Sequence, residues 1–147
     1  MPSPCSIRTF CCYKLAAETD VSLLRSFKRV DIFSEKDIDS LAVVLTPFRS
    51  LVTTPHILAE TSNFVDQAPP YVREALIESL REFVVGNEEW YEKARTLAPR
   101  REFPSLGLTD TGLVAVSERA TIITVDWRLA GQIESAGGRV INFNHHR

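Results

Sequence analysis

Twice along this chain a short β-branched run stops at residues that start a helix. Leu51 to Thr54 runs into Thr54-Pro55, a hydroxyl cap followed by a first-turn proline, and then into HILAETSNFV. Thr121 to Thr124 runs into Asp126, with a helix expected from about Arg128 to Ala136, Gly137-Gly138 as its stop, and a last strand RVINF. Strands that alternate with helices in this way predict an α/β domain with a mainly parallel sheet.

The segments between fit that pattern. Ser34 before Glu35, Lys36 and Asp37 reads as an N-cap leading into Ile38, Leu41, Val44 and Leu45. YVREALIESLREFVV places Val72, Leu76, Ile77, Leu80, Phe83 and Val84 at helical spacing, and Gly86-Asn87 closes it. EEWYEKARTLA reads as another helix, Arg100 to Gly107 as a loop, and Thr109-Asp110 as the opening of the helix TDTGLVAVSERA. The first 20 residues, with the atypical stretch SIRTFCCYKL, fit no element clearly. The 147 residues are expected to form a single domain, with no internal repeat and no low-complexity tract.

Composition narrows the class. Apolar residues make up 44% and charged residues 24%, an ordinary balance for a soluble globular protein. The net charge of −2 gives no overall basic field, so a nucleic-acid partner would need a local site. The three cysteines, Cys5, Cys11 and Cys12, have neither CxxC spacing nor a Cys/His partner set for zinc, which suits reduced thiols in a cytoplasm. No apolar run approaches the ~20 residues that span a bilayer, and Arg8 and Lys14 interrupt any secretory leader, so no membrane role is expected.

The carboxylates carry the functional reading. Ligands of open parallel α/β sheets bind beyond the carboxyl ends of the strands. Glu60 lies on the helix after the strand 51 to 54, Asp110 begins a helix, and Asp126 follows the strand 121 to 124. Singly, each has an ordinary structural role, as a helix-dipole partner, a cap or a surface charge. Together, converging carboxylates repel unless a cation or proton neutralises them, and an all-oxygen set suits Mg²⁺ or Mn²⁺. Such an ion can activate water against a phosphodiester.

TPHILAETSNFV, GLTDTGLVAVSERA and TIITVDWRLA with GGRVINF, in that order, resemble the successive motifs of a PIN domain over residues 20–143. The resemblance implies a three-layer α/β/α fold and a metal-dependent endoribonuclease that cleaves RNA with a metal-activated water. Matched by motif, Glu60, Asp110 and Asp126 stand at the second, third and fourth acids, which hold Mg²⁺ or Mn²⁺. Thr124 and Asn63 match accompanying polar positions; Thr124 would orient a carboxylate or the water, or serve only as a strand residue. The resemblance also implies an antitoxin-like protein partner or a homodimer.

The chain departs from the family at its front. Where a strand ending in D-T-N is expected, near SIRTF, stand Ile7, Arg8 and Thr9, and Asp20 and Asp31 lie too far along to replace the first acid by motif. One ligand fewer, with an arginine close by, weakens a divalent site. The alternative is therefore a catalytically degenerate PIN-like scaffold that binds RNA or a protein partner. A receiver-like domain is a further structural rival, but Arg139 is the only basic residue near the last strand.

The remaining candidates have plainer readings. Lys28, Arg29, Arg49, Arg100 and Arg101 suit an RNA-contacting surface or a solvated face. Trp90 is expected to pack, Trp127 either packs or stacks a base, His56 is a helix-surface residue or a phosphate contact, and His145-His146-Arg147 reads as a surface tail.

Overall fold

The computed structural model describes the backbone of Cys5–Ile7 and residues 34–147. Arg8, Thr9, Cys11, Cys12, Asp20, Lys28, Arg29 and Asp31 lie outside the described residues. The elements in chain order are β1 (Cys5–Ile7), α1 (Glu35–Leu45), β2 (Leu51–Thr53), α2 (Pro55–Asp66), α3 (Pro70–Gly86), β3 (Glu88–Glu89), α4 (Ala94–Leu97), α5 (Phe103–Val116), β4 (Thr121–Thr124), α6 (Trp127–Ser135) and β5 (Arg139–Asn142). A 3₁₀ turn, Phe143–His145, follows.

Among the described residues every strand pairing is parallel. The pairs β3–β2 and β4–β5 are joined through β1, giving the order β3-β2-β1-β4-β5. Cys5 faces Leu51 on one side and Thr121 on the other, and Ile7 faces Ile123. The mixed helix-and-strand architecture expected from the alternating pattern is therefore present.

The local signals explain most boundaries. The Ser34 backbone N–H donates to Asp37 Oδ2 at 2.6 Å, closing the first turn of α1. Thr54 Oγ1 accepts the Ile57 N–H at 3.3 Å and Pro55 occupies the first turn of α2, where its missing N–H costs nothing. Gly137, at φ 75°, lets α6 stop in a left-handed turn: the Gly138 N–H reaches Ile133 O at 2.9 Å and the Gly137 N–H reaches Glu134 O at 3.0 Å. At Gly138 a Cβ would collide with the Ser117 side chain and with Ile133 Cγ2, so the start of β5 packs against the end of α5 through bare backbone.

Two expectations are corrected. The helix expected over EEWYEKARTLA is only the single turn Ala94–Leu97; Glu88–Glu89 instead extend the sheet, and the Trp90 N–H donates to Thr53 O at 2.9 Å. The free edge of β2 offers backbone partners there that local helix propensity does not outweigh. The loop expected over Arg100 to Gly107 contains a helical turn from Phe103, interrupted at Gly107, whose φ of 74° and ψ of −174° separate it from the helix that carries Asp110.

The core lies on the helix faces that meet the sheet. Leu76, Leu113, Ile122, Ile123, Leu129, Ile133 and Phe143 are completely buried. Each such side chain contributes roughly 1.5–3 kcal/mol. On α3 the buried stripe is narrower than the apolar pattern suggested: Val72, Leu76 and Phe83 are buried, while Ile77 and Val84 are 43% and 41% exposed, since each sits about 100° around the helix from its buried neighbour. Among the described residues no helix is long and apolar enough to cross a membrane.

Candidate active site at the carboxyl edge of the sheet

Parallel pairing puts the carboxyl ends of all the strands at one edge, and the helices that follow β2 and β4 begin there. Glu60 sits in the second turn of α2. Its Oε1 accepts a hydrogen bond from Thr109 Oγ1 at 2.8 Å, across 49 residues of sequence. Thr109 precedes Asp110, which is buried at 8% exposure, so this bond fastens the helix of Glu60 to the helix that carries Asp110.

Gly107 and Gly112 set that approach. The left-handed break at Gly107 starts a fresh helical run, so Thr109 and Asp110 fall in its first turn. One helical step further, a Cβ on Gly112 would lie 3.9 Å from His56 Nδ1. His56 and Glu60 are one turn apart on α2, and Gly112 and Thr109 one turn apart on α5. The two helices thus meet along a two-rung contact, with His56 facing α5 rather than standing free on a helix surface.

Asp126 leaves β4 as the N-cap of α6. Its Oδ1 accepts the N–H groups of Arg128 at 2.9 Å and Leu129 at 3.1 Å. Thr124, 1% exposed, accepts the Asp126 backbone N–H on Oγ1 at 3.0 Å, so its hydroxyl fixes the turn that presents the carboxylate. Beside it, Asn144 Nδ2 donates to Val125 O at 2.7 Å and to Asn142 Oδ1 at 2.9 Å, tying the ends of β4 and β5 together. Asn63 is exposed on α2.

Glu60 and Thr109, next to Asp110, are therefore brought together, and Asp126 emerges at the same edge. One strand, β1, separates β4 from β2, a span of about 10 Å at the usual strand spacing. The described part of β1, Cys5–Ile7, contains no acid. Among the described residues no group of three or more His, Cys, Asp or Glu side chains is arranged to hold a metal ion.

Several basic and aromatic candidates fall elsewhere. Arg100 bonds Glu102 Oε2 at 3.5 Å and Glu118 Oε1 at 3.2 Å; Arg101 bonds Glu102 Oε1 at 3.1 Å and Ser135 O at 3.2 Å. Burial alone would raise the Glu102 carboxyl, but hydrogen bonds from its own backbone amide and from Arg101, with the charge and hydrogen bond of Arg100, hold it below the usual carboxylate range. Arg49 lines a cleft with Leu45, Phe48 and Glu88 at the opposite, amino edge of the sheet. Trp90 packs at the core margin with Arg119 4.7 Å over its ring, whereas Trp127 is 62% exposed. His145, His146 and Arg147 are exposed, as a surface tail would be, with Arg147 Nε 3.9 Å from Asp37 Oδ1; Phe143, expected in the last strand, is fully buried in the 3₁₀ turn that follows it.

The sequence reading missed Thr109 and Glu102. A hydroxyl beside an acid was a usable sign for Thr109. Nothing local marks Glu102, because its two arginine neighbours read equally well as a solvated face. Comparison with family models, curated proteins and solved structures finds no match to this chain.

Proposed function

We propose that this chain is a PIN-like, three-layer α/β/α domain acting as a Mg²⁺- or Mn²⁺-dependent endoribonuclease, with Glu60, Asp110 and Asp126 as metal ligands. The observation that supports the reading is the Thr109–Glu60 hydrogen bond, which fastens the helix carrying Glu60 to the helix carrying Asp110 at the edge where Asp126 emerges. The donor set fits a hard divalent cation. It is all oxygen, and Asp110 is a buried carboxylate, a charge that a cation stabilises. A bound ion would supply an activated water and offset charge on the phosphate oxygens. Thr109 and Thr124 act as positioning residues, the first holding the Glu60 carboxylate and the second the Asp126 turn.

The test is Mn²⁺-dependent cleavage of a structured and an unstructured RNA by the purified protein, beside an Asp126→Asn variant and an EDTA control. Cleavage by the parent that is lost in both controls is the expected result. An Asp126→Asn protein that binds metal and cuts RNA like the parent overturns the ligand assignment. A second reading, a scaffold that keeps the fold and binds without cutting, is favoured by β1: its described residues hold the central place in the sheet without an acid, and Arg8 follows them in sequence. Folded protein that cuts neither RNA selects this second reading.

A further inference from the structure

Trp127 is the first residue of α6, directly after Asp126, and exposes 62% of its surface. An indole left in water forgoes a large burial gain, and this one stands one residue from a candidate site acid with its ring held by a neighbour. Its position is fixed from both sides. The Asp126 cap holds its backbone, and the His145 ring meets the indole edge-to-face at a centroid distance of 5.1 Å and an interplanar angle of 64°. His145 in turn belongs to the 3₁₀ turn capped by Asn142, and Asn144 ties that turn to Val125.

Basic and imidazole side chains lie near the ring in sequence or contact. Arg128 follows it on α6 and is exposed, as are His145 and His146. A flat aromatic surface beside an arginine is an arrangement that holds single-stranded nucleic acid, the ring stacking a base and the guanidinium meeting a phosphate. Duplex bases are already stacked and hide their faces, so such a platform discriminates by strandedness rather than by base identity.

We propose that Trp127, braced by His145, is a stacking platform for one unpaired nucleobase of single-stranded RNA, placed one residue from Asp126 so that the strand crosses the carboxyl edge. The inference rests on reading that edge as the nuclease site, but it is tested by binding, without metal or cleavage. Fluorescence anisotropy in EDTA measures a short unstructured oligoribonucleotide and a hairpin duplex of equal length against the parent, Trp127→Ala, Trp127→Phe and His145→Ala.

Trp127→Ala is expected to weaken single-strand binding roughly five- to hundredfold, the range for losing one stacked base. Trp127→Phe keeps most of the affinity, His145→Ala loses a smaller part, and duplex binding changes less than twofold. In a Trp90→Phe background, where Trp127 is the sole tryptophan, single-strand binding quenches the remaining fluorescence. Equal single-strand affinity in parent and Trp127→Ala overturns the proposal, as does a parent that binds neither RNA or a loss shared equally by strand and duplex; the ring then serves a protein contact instead. A parent that cuts RNA while Trp127→Ala binds it normally removes the platform and leaves the nuclease. Trp127-dependent binding by a parent that never cuts removes the nuclease and leaves the platform.

Discussion

Replacing Thr109 with valine removes one hydroxyl and nearly preserves the side-chain volume, which isolates the bond that joins α2 to α5. The bond is 2.8 Å long and runs from a neutral hydroxyl to a carboxylate, both half-buried. Hydrogen bonds to charged groups contribute about 1.5–3 kcal/mol, and partial access to water pulls this one toward or below the lower end. We expect Thr109→Val to cost about 1 kcal/mol, a fall of about 3 °C in Tm for a chain of this size. Urea denaturation of the parent, Thr109→Val, Glu60→Ala and the double variant gives the pairwise term directly. The expected coupling is about 1 kcal/mol. Additivity of the two single changes within ~0.3 kcal/mol refutes the reasoning, for it means the hydroxyl and carboxylate do not meet in solution.

Glu102 gives a pH-dependent prediction. Its folded carboxyl is held below the ordinary value of 4.5, so its contribution is complete above that pH and disappears as pH falls through the lower folded value. Tm measured against pH should therefore decline below about pH 4.5 in the parent and more shallowly in Glu102→Gln. The same variant is expected to lose about 1–2 kcal/mol at neutral pH, less than a fully buried pair would, because Arg100 and Arg101 keep water access. Phe143→Ala should cost about 3–5 kcal/mol by denaturant unfolding, since the ring is wholly buried; a cost under ~1 kcal/mol would contradict that burial. Gly138→Ala should cost about 1–3 kcal/mol because its Cβ collides with Ser117 and Ile133, and an unchanged unfolding midpoint would contradict that packing.

Elements whose signals are local were readable in the sequence. Thr54-Pro55, Ser34 with Asp37, and Gly137 each decide a helix end through bonds to residues within four positions, and the structure places the boundaries there. Glu88–Glu89 was misread because its partner, β2, lies more than thirty residues earlier, and pairing to a distant strand leaves no periodic trace in two glutamates. The site divides the same way. Asp126 as a cap follows from its place between strand and helix, and Thr124 as its support was implied by the motif resemblance, whereas the Glu60–Thr109 bond depends on how two helices cross. Arg100 and Arg101 resembled a basic surface because the ion pairs to Glu102 and Glu118 depend on the fold of the segment between.

Of the described strands, β1 is made first and finished last. It pairs with β4, nearly the whole length of the chain away, and only through it do the β3–β2 and β4–β5 pairs become one sheet. A ribosome delivers these residues in order, so a nascent chain holding β1, β2 and everything up to α5 still lacks the strand that closes the centre. The long loop that must close before that contact forms makes sheet completion a late event, after the local helices have settled. On this ordering, the carboxyl edge on which Glu60, Asp110 and Asp126 are carried is complete only once synthesis has passed β4, and a chain truncated before Thr121 would keep Glu60 and Asp110 without the strand that leads to Asp126.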